Sequence, residues 1–97
     1  MADLLTAEAV REELGGLTEW SGDPTGISRT VQLGGFPEAI AVVDRVAVAA
    51  ERLDHHPDID IRWRTLTFRC VTHSAGGVTH RDIELARHID DIVRSAR

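Results

Sequence analysis

The sequence predicts an α+β domain with helices covering one face of a sheet, in the order α-β-β-α-β-β-α. Three observations carry this reading. Apolar residues recur at helical spacing in three stretches, near the start, in the middle and at the end of the chain. Between them, apolar and polar residues alternate with the period of two that marks a half-buried strand. Antiparallel strand pairs set between helices are an α+β pattern, with the helices gathered over one face of the sheet.

Thr6 is placed as the N-cap of the first helix, Glu8 falls in its first turn, and Val10, Leu14 and Leu17 follow at roughly helical steps around a Gly15-Gly16 stop. The segment 20–26, with its Ser-Gly-Asp-Pro-Thr-Gly run, reads as a loop. Ile27, Arg29, Val31 and Leu33 then alternate with Ser28, Thr30 and Gln32 until Gly34-Gly35, so the first strand pair is only half visible. Pro37 suits the first turn of a second helix, on which Phe36, Ile40, Val43, Ala47 and Ala50 share one face. That helix stops before Pro57, which pushes His56 into extended backbone.

Ile59, Ile61 and Trp63 alternate with Asp58, Asp60 and Arg62, and Leu66, Phe68 and Cys70 with Thr67 and Arg69. The two runs form a hairpin about Arg64-Thr65, a pair without the usual Asn-Gly turn signal. Trp63 closes an apolar row and is expected in the core. Ser74-Ala75-Gly76-Gly77 is the next loop, and Thr79 opens a last helix whose inner face is Ile83, Ala86, Ile89, Val93 and Ala96.

With 97 residues, 42% of them apolar, the chain supports one core and is expected to be a single domain over 1–97. Its 11 Lys+Arg against 16 Asp+Glu leave a net charge of -5, which argues against a direct grip on the phosphate backbone of nucleic acid. Cys70 is the only cysteine, so there is no internal disulfide and no Cys-rich zinc pattern, as expected in a reducing compartment. No apolar run approaches the ~20 residues of a membrane span. The N-terminal MADLLTAEAVREEL is acidic and lacks the order of a signal peptide. The expected location is the cytoplasm.

Histidine is the natural candidate for chemistry here, because its unperturbed pKa of ~6.5 offers both an acid and a base near neutral pH. His55 and His56 fall where the second helix gives way, and His73 where a strand ends; loop edges are where functional groups concentrate. A loop histidine standing alone is more often merely solvated or hydrogen-bonded. His80 and His88 look like surface residues of the last helix. A metal site is disfavoured, since His55 and His56 on extended backbone point to opposite sides and there is no HExxH, no His-x-x-x-His and no CxxC. Thr79-His80-Arg81-Asp82 is a capping box that would engage the Asp82 carboxylate at a helix start. Arg62, Arg64 and Arg69 read as the solvated side of the hairpin, and Gly76-Gly77 as a turn without the fuller pattern of a phosphate loop.

Taken together, Glu51-Arg52-Leu53-Asp54-His55-His56-Pro57, Trp63, Thr72-His73, Gly76-Gly77-Val78-Thr79 and Asp82 resemble the signature of the pterin-4a-carbinolamine dehydratase family. The resemblance extends to Val46-Ala47 and Ala50-Glu51 and, more weakly, to Trp20, Ile27 and Arg29. It departs from the family at Leu33 and Val43, where phenylalanine is usual, and in a shorter loop between Trp20 and Ile27.

This resemblance implies a helix-covered four-stranded antiparallel sheet and self-association into homodimers or homotetramers through that sheet and a helix. It implies no metal or organic cofactor. The activity implied is removal of water from 4a-hydroxytetrahydropterin, giving quinonoid dihydropterin. The shallow pterin site would be lined by Asp54, His55, His56, Val71, Thr72, His73 and Ser74. His55 and His73 are the candidates for acid and base, either way round, with His56 orienting the pterin or sharing the base role. Glu51 and Asp82 would support imidazole tautomers. Some family members serve instead as dimerisation partners of a transcription factor, and a related fold serves as a Rubisco assembly chaperone, so a binding module is the competing function class. A pure scaffold has no need of three imidazoles at the dehydratase positions.

Overall fold

The computed structural model describes residues 3–97; Met1 and Ala2, which begin the expected 1–97 domain and the acidic N-terminal run, lie outside the described residues. Helices α1 (Ala7–Leu14), α2 (Phe36–Leu53) and α3 (His80–Ala96) and strands β1 (Ser21–Asp23), β2 (Gly26–Gln32), β3 (Asp58–Arg62) and β4 (Thr65–Cys70) follow in the expected order. The strands form one antiparallel sheet, β1-β2-β4-β3. Among the described residues, no helix is long and apolar enough to cross a membrane.

Alternation sets the inner face of the sheet. Ile27, Arg29 and Val31 of β2 stand opposite Cys70, Phe68 and Leu66 of β4, and all six are buried. Phe68, Ile27 and Leu66 share one core with Val42 and Val46 of α2 and Ile83, Leu85 and Ile89 of α3. Removing each such side chain from water is worth roughly 1.5–3 kcal/mol. Arg29 is tolerated in this row because its guanidinium donates to Asp90 at 2.6 Å, an oxygen that the Trp20 indole N–H also reaches at 2.8 Å. Burial, then the nearby Asp82 and Asp58 carboxylates, pushes the Cys70 thiol well up, so Cys70 stays protonated and acts as a small packing residue. The outer face is polar, with Thr30 and Thr67 paired across strands at 2.9 Å.

Four features differ from the sequence expectation. The segment 20–26 is not all loop, because β1 lies within it. Its residues are all exposed, so no buried alternation marks it; Asp23 accepts the Thr25 N–H at 2.7 Å and turns the chain so that Ser21 pairs with Ser28. Those Thr25 contacts, hydroxyl first, also hold the Asp23 carboxyl below its ordinary pKa.

The buried stripe of α2 is Ala39, Val42, Val46 and Ala50, whereas Phe36 and Ala47 are exposed and Ile40 and Val43 half-buried. Ala50 is buried as expected, but before it the expected stripe is turned by one residue, roughly 100° around the axis, because α2 carries two adjacent apolar stripes and only packing chooses between them. Trp63 is 67% exposed, not core. The hairpin turn is Trp63-Arg64, one residue before the expected Arg64-Thr65, since Thr65 already pairs with Arg62; Trp63 takes a left-handed φ of 54° there, and Arg64 stacks over its ring at 4.8 Å. On α3, Leu85 is buried and Ala96 exposed, because the terminal turn runs past the edge of the core.

Candidate active site

The end of α2 places the histidine pair. Asp54 takes the left-handed conformation at φ 51°, which an aspartate tolerates better than most residues. The Asp54 N–H then bonds the Glu51 carbonyl at 3.2 Å and the His55 N–H bonds the Ala50 carbonyl at 3.0 Å, a Schellman ending. Arg81, from the first turn of α3, donates to the carbonyls of Leu53 and Asp54 and fixes this reversal from outside. Beyond it the two imidazoles diverge, as adjacent side chains on extended backbone must. His55 turns inward and is buried; His56 turns outward and meets Glu51 at 2.9 Å, with both side chains exposed.

The end of β4 places the third histidine. Thr72 and Gly77 pair as an isolated antiparallel bridge that closes the loop between them, and the 3₁₀ turn His73–Ala75 projects His73 into solvent. Two glycines make the closure possible. Gly76 has φ 81°, and a Cβ on Gly77 would lie 2.6 Å from the Pro24 carbonyl oxygen.

Asp82 joins the two chain ends. It is fully buried at the start of α3, and the expected capping box is present, with the Thr79 N–H donating to Oδ2 at 2.9 Å. The same oxygen accepts the Thr72 hydroxyl at 2.8 Å, and Oδ1 lies 2.6 Å from His55 Nε2. Capping and imidazole support therefore coexist in one carboxylate. Its reach across 27 residues to His55 is a tertiary contact that no local pattern encodes.

A cavity of about 250 Å³ is lined by Asp54, His55, His56, Val71, Thr72, His73, Ser74 and Arg81. It gathers His55, His56 and His73, with Glu51 against His56 and Asp82 behind His55. Arg81 is the lining residue that the sequence reading passed over as a spacer within the capping box; its position directly before Asp82 was the available signal. His80 and His88 are exposed on α3 and line other surfaces, His80 lying 3.7 Å from Glu13. Among the described residues, no group of three or more His, Cys, Asp or Glu side chains has the arrangement of a metal site. The cavity holds one buried, carboxylate-anchored imidazole, two accessible imidazoles and a guanidinium, a set suited to proton transfer.

Comparison with known proteins identifies the family. A family profile described as pterin 4 alpha carbinolamine dehydratase matches residues 3–92. A protein of Nocardia farcinica, provisionally named a pterin-4-alpha-carbinolamine dehydratase, is 60% identical over 92 residues, 95% of this chain and 97% of its own. A protein of Roseiflexus castenholzii with the same provisional name is 50% identical over 93 residues, 96% of this chain and 100% of its own. Among solved structures, a transcriptional coactivator/pterin dehydratase from Brucella melitensis superposes with a TM-score of 0.89 at 32% identity, covering 93% of this chain and 98% of that one. A pterin dehydratase-like protein described as a RuBisCO assembly factor in the alpha-carboxysome shares the fold, with a TM-score of 0.62 at 18% identity over 75% of this chain and 84% of its own. A match along nearly the whole chain, together with the His-His-Pro turn and its buried aspartate, places the protein in the pterin-4a-carbinolamine dehydratase family.

Proposed function

We propose that the protein is a dehydratase that eliminates water from 4a-hydroxytetrahydropterin, giving quinonoid dihydropterin by histidine acid–base catalysis without a metal or organic cofactor. The observation that carries this reading is the convergence of His55, His56 and His73 on one cavity, with His55 anchored by Asp82. In the reaction the C4a–O bond breaks and the hydroxyl leaves as water, taking a proton from an imidazolium. The adjacent ring N–H gives its proton to a neutral imidazole, and the nitrogen pair closes the C=N bond. One proton enters and one leaves, so imidazoles on two sides of the pterin suffice. His55 and His73 fill these roles, while His56, steadied by Glu51, orients the ring or shares the base role. Asp54, Val71, Thr72 and Ser74 complete the wall, and the Arg81 guanidinium borders it.

Stopped-flow measurement with freshly generated carbinolamine tests the reading. The protein is expected to accelerate dehydration equally before and after treatment with a chelator. Equal rates with and without protein would remove the enzyme assignment, and loss of activity with chelator followed by recovery with zinc would replace it with a metal mechanism.

A homodimer or homotetramer is part of the same proposal. Strand β3 is a sheet edge with unpaired backbone groups, and α2 leaves Phe36 49% and Val48 53% exposed. Light scattering at micromolar concentration is expected to give a multiple of the chain mass; a strictly monomeric mass overturns this element. The exposed stripe of α2 also favours the second reading, a protein-binding module, which the name of the Brucella melitensis neighbour carries for that protein. A lone buried thiol fits the cytoplasmic location expected from the sequence.

A further inference from the structure

The Thr72 side chain lines the dehydratase cavity only nominally. Thr72 is 2% exposed and its hydroxyl is engaged inside the fold, by Asp82, Thr79 and, at 3.5 Å, His55 Nε2. The direction of each hydrogen bond there follows from what each group can give. A carboxylate only accepts, so the Thr72 hydroxyl donates its single proton to Asp82 Oδ2 at 2.8 Å. That leaves the 2.7 Å contact between the Thr72 and Thr79 hydroxyls one possible polarity, with Thr79 donating. Thr79 Oγ1 is free to do so, because as the helix cap it accepts the Arg81 N–H at 3.2 Å. Asp82 Oδ2 therefore receives two donors, the Thr72 hydroxyl and the Thr79 N–H, and the carboxylate is held so that Oδ1 faces His55 Nε2 at 2.6 Å. Since Oδ1 has no proton to offer, Nε2 carries it.

We propose that Thr72 and Thr79 form a hydroxyl chain ending on Asp82 that holds neutral His55 as its Nε2–H tautomer, making Thr72 a positioning residue for the acid–base site. His55 Nδ1 makes no hydrogen bond to a described residue, and His55 lines the cavity. Nδ1 is then the ring atom that exchanges a proton with the substrate, taking one up when His55 is neutral and giving one when it is charged. This assignment deepens the dehydratase reading and rests on it, but the tautomer itself does not.

The test uses full-length protein labelled with ¹⁵N, in which long-range ¹H–¹⁵N correlations report which nitrogen of each imidazole is protonated. The wild type and Thr72→Ser are expected to show His55 with Nε2 protonated and Nδ1 bare. Thr72→Val, nearly isosteric but without the hydroxyl, leaves Asp82 Oδ2 to the Thr79 N–H alone, so Nε2 stays protonated but its proton resonance is expected to shift upfield and broaden as the 2.6 Å contact loosens. In stopped-flow assays Thr72→Val is expected to lose roughly 10-fold to 100-fold in kcat, the scale of a misplaced catalytic group, with KM little changed and with Thr72→Ser near wild type. A wild-type His55 with Nδ1 protonated overturns the proposal outright, whether or not the valine variant folds. So does a folded Thr72→Val with an unshifted Nε2 proton and full kcat. If the wild type has no dehydratase activity, the functional reading fails while the ring-nitrogen pattern still decides the hydroxyl chain.

Discussion

His73→Ala is expected to lower the dehydration rate by roughly 10²-fold to 10⁴-fold, the contribution of a positioned acid–base group. His73 is exposed on a closed loop and makes no hydrogen bond to a described side chain, so its removal disturbs no packing and the loss reads directly as chemistry. The fall should appear in kcat more than in pterin affinity, because a proton donor acts mainly in the transition state. His55→Ala is expected to lose rate on the same scale, but it also strips Asp82 of a partner, so its turnover must be read on protein shown to be folded. His80→Ala and His88→Ala supply the contrast, since both residues are exposed on α3 and neither lines the cavity. Turnover of the four variants, each checked by circular dichroism, is the measurement. Four equal activities would move the active site elsewhere.

Asp82→Ala is expected to be the most destabilising single change in the site. It removes the acceptor for the His55 ring, the Thr72 hydroxyl and the Thr79 N–H, all buried. Each orphaned donor costs about 1–3 kcal/mol, and the loss of a buried partner of this kind typically reaches about 3–5 kcal/mol. In a domain of this size that corresponds to a fall in Tm of roughly 12 °C or more. Asp82→Asn separates stability from chemistry. Its amide oxygen can still accept from Thr72 and Thr79, which keeps most of the cap, but its NH₂ then faces His55 Nε2 and must donate to it. The opposite tautomer results, as when an amide replaces the carboxylate behind a catalytic histidine elsewhere. Thermal melts should therefore rank wild type above Asp82→Asn and Asp82→Ala last, while stopped-flow turnover is low in both variants. A Tm for Asp82→Ala within a few degrees of wild type would show that the carboxylate is not the structural hub described here.

Local chemistry that acts within a few residues was legible before the fold was known. Thr6 caps α1 by accepting the Ala9 N–H at 3.1 Å, Thr79 and Asp82 form their box, and Leu66, Phe68 and Cys70 alternate into the core as their period requires. The divergence of His55 and His56 was also legible, because it follows from extended backbone beside a proline. The family signature rests on residues of this kind.

What the sequence left open needed a second chain segment to decide it. Strand β1 carries no apolar alternation and exists only through its pairing with β2. Helix α2 has two adjacent apolar stripes, and contact with the sheet and α3 selected Ala39, Val42 and Val46 over Phe36, Val43 and Ala47. Trp63 continues an apolar row by period, yet the hairpin loop gives it a left-handed φ and turns it out to solvent. Most of the site belongs to this second class. Sequence determined that the protein has three histidines at element ends and a capping aspartate; tertiary structure decided that this aspartate meets His55, that Thr72 faces it from behind, and that Arg81 fixes the α2 turn. The physical reason is one of range. Propensity, capping and periodicity act over a few residues, whereas a buried carboxylate takes whichever donors the packed core delivers to it, from three segments at once.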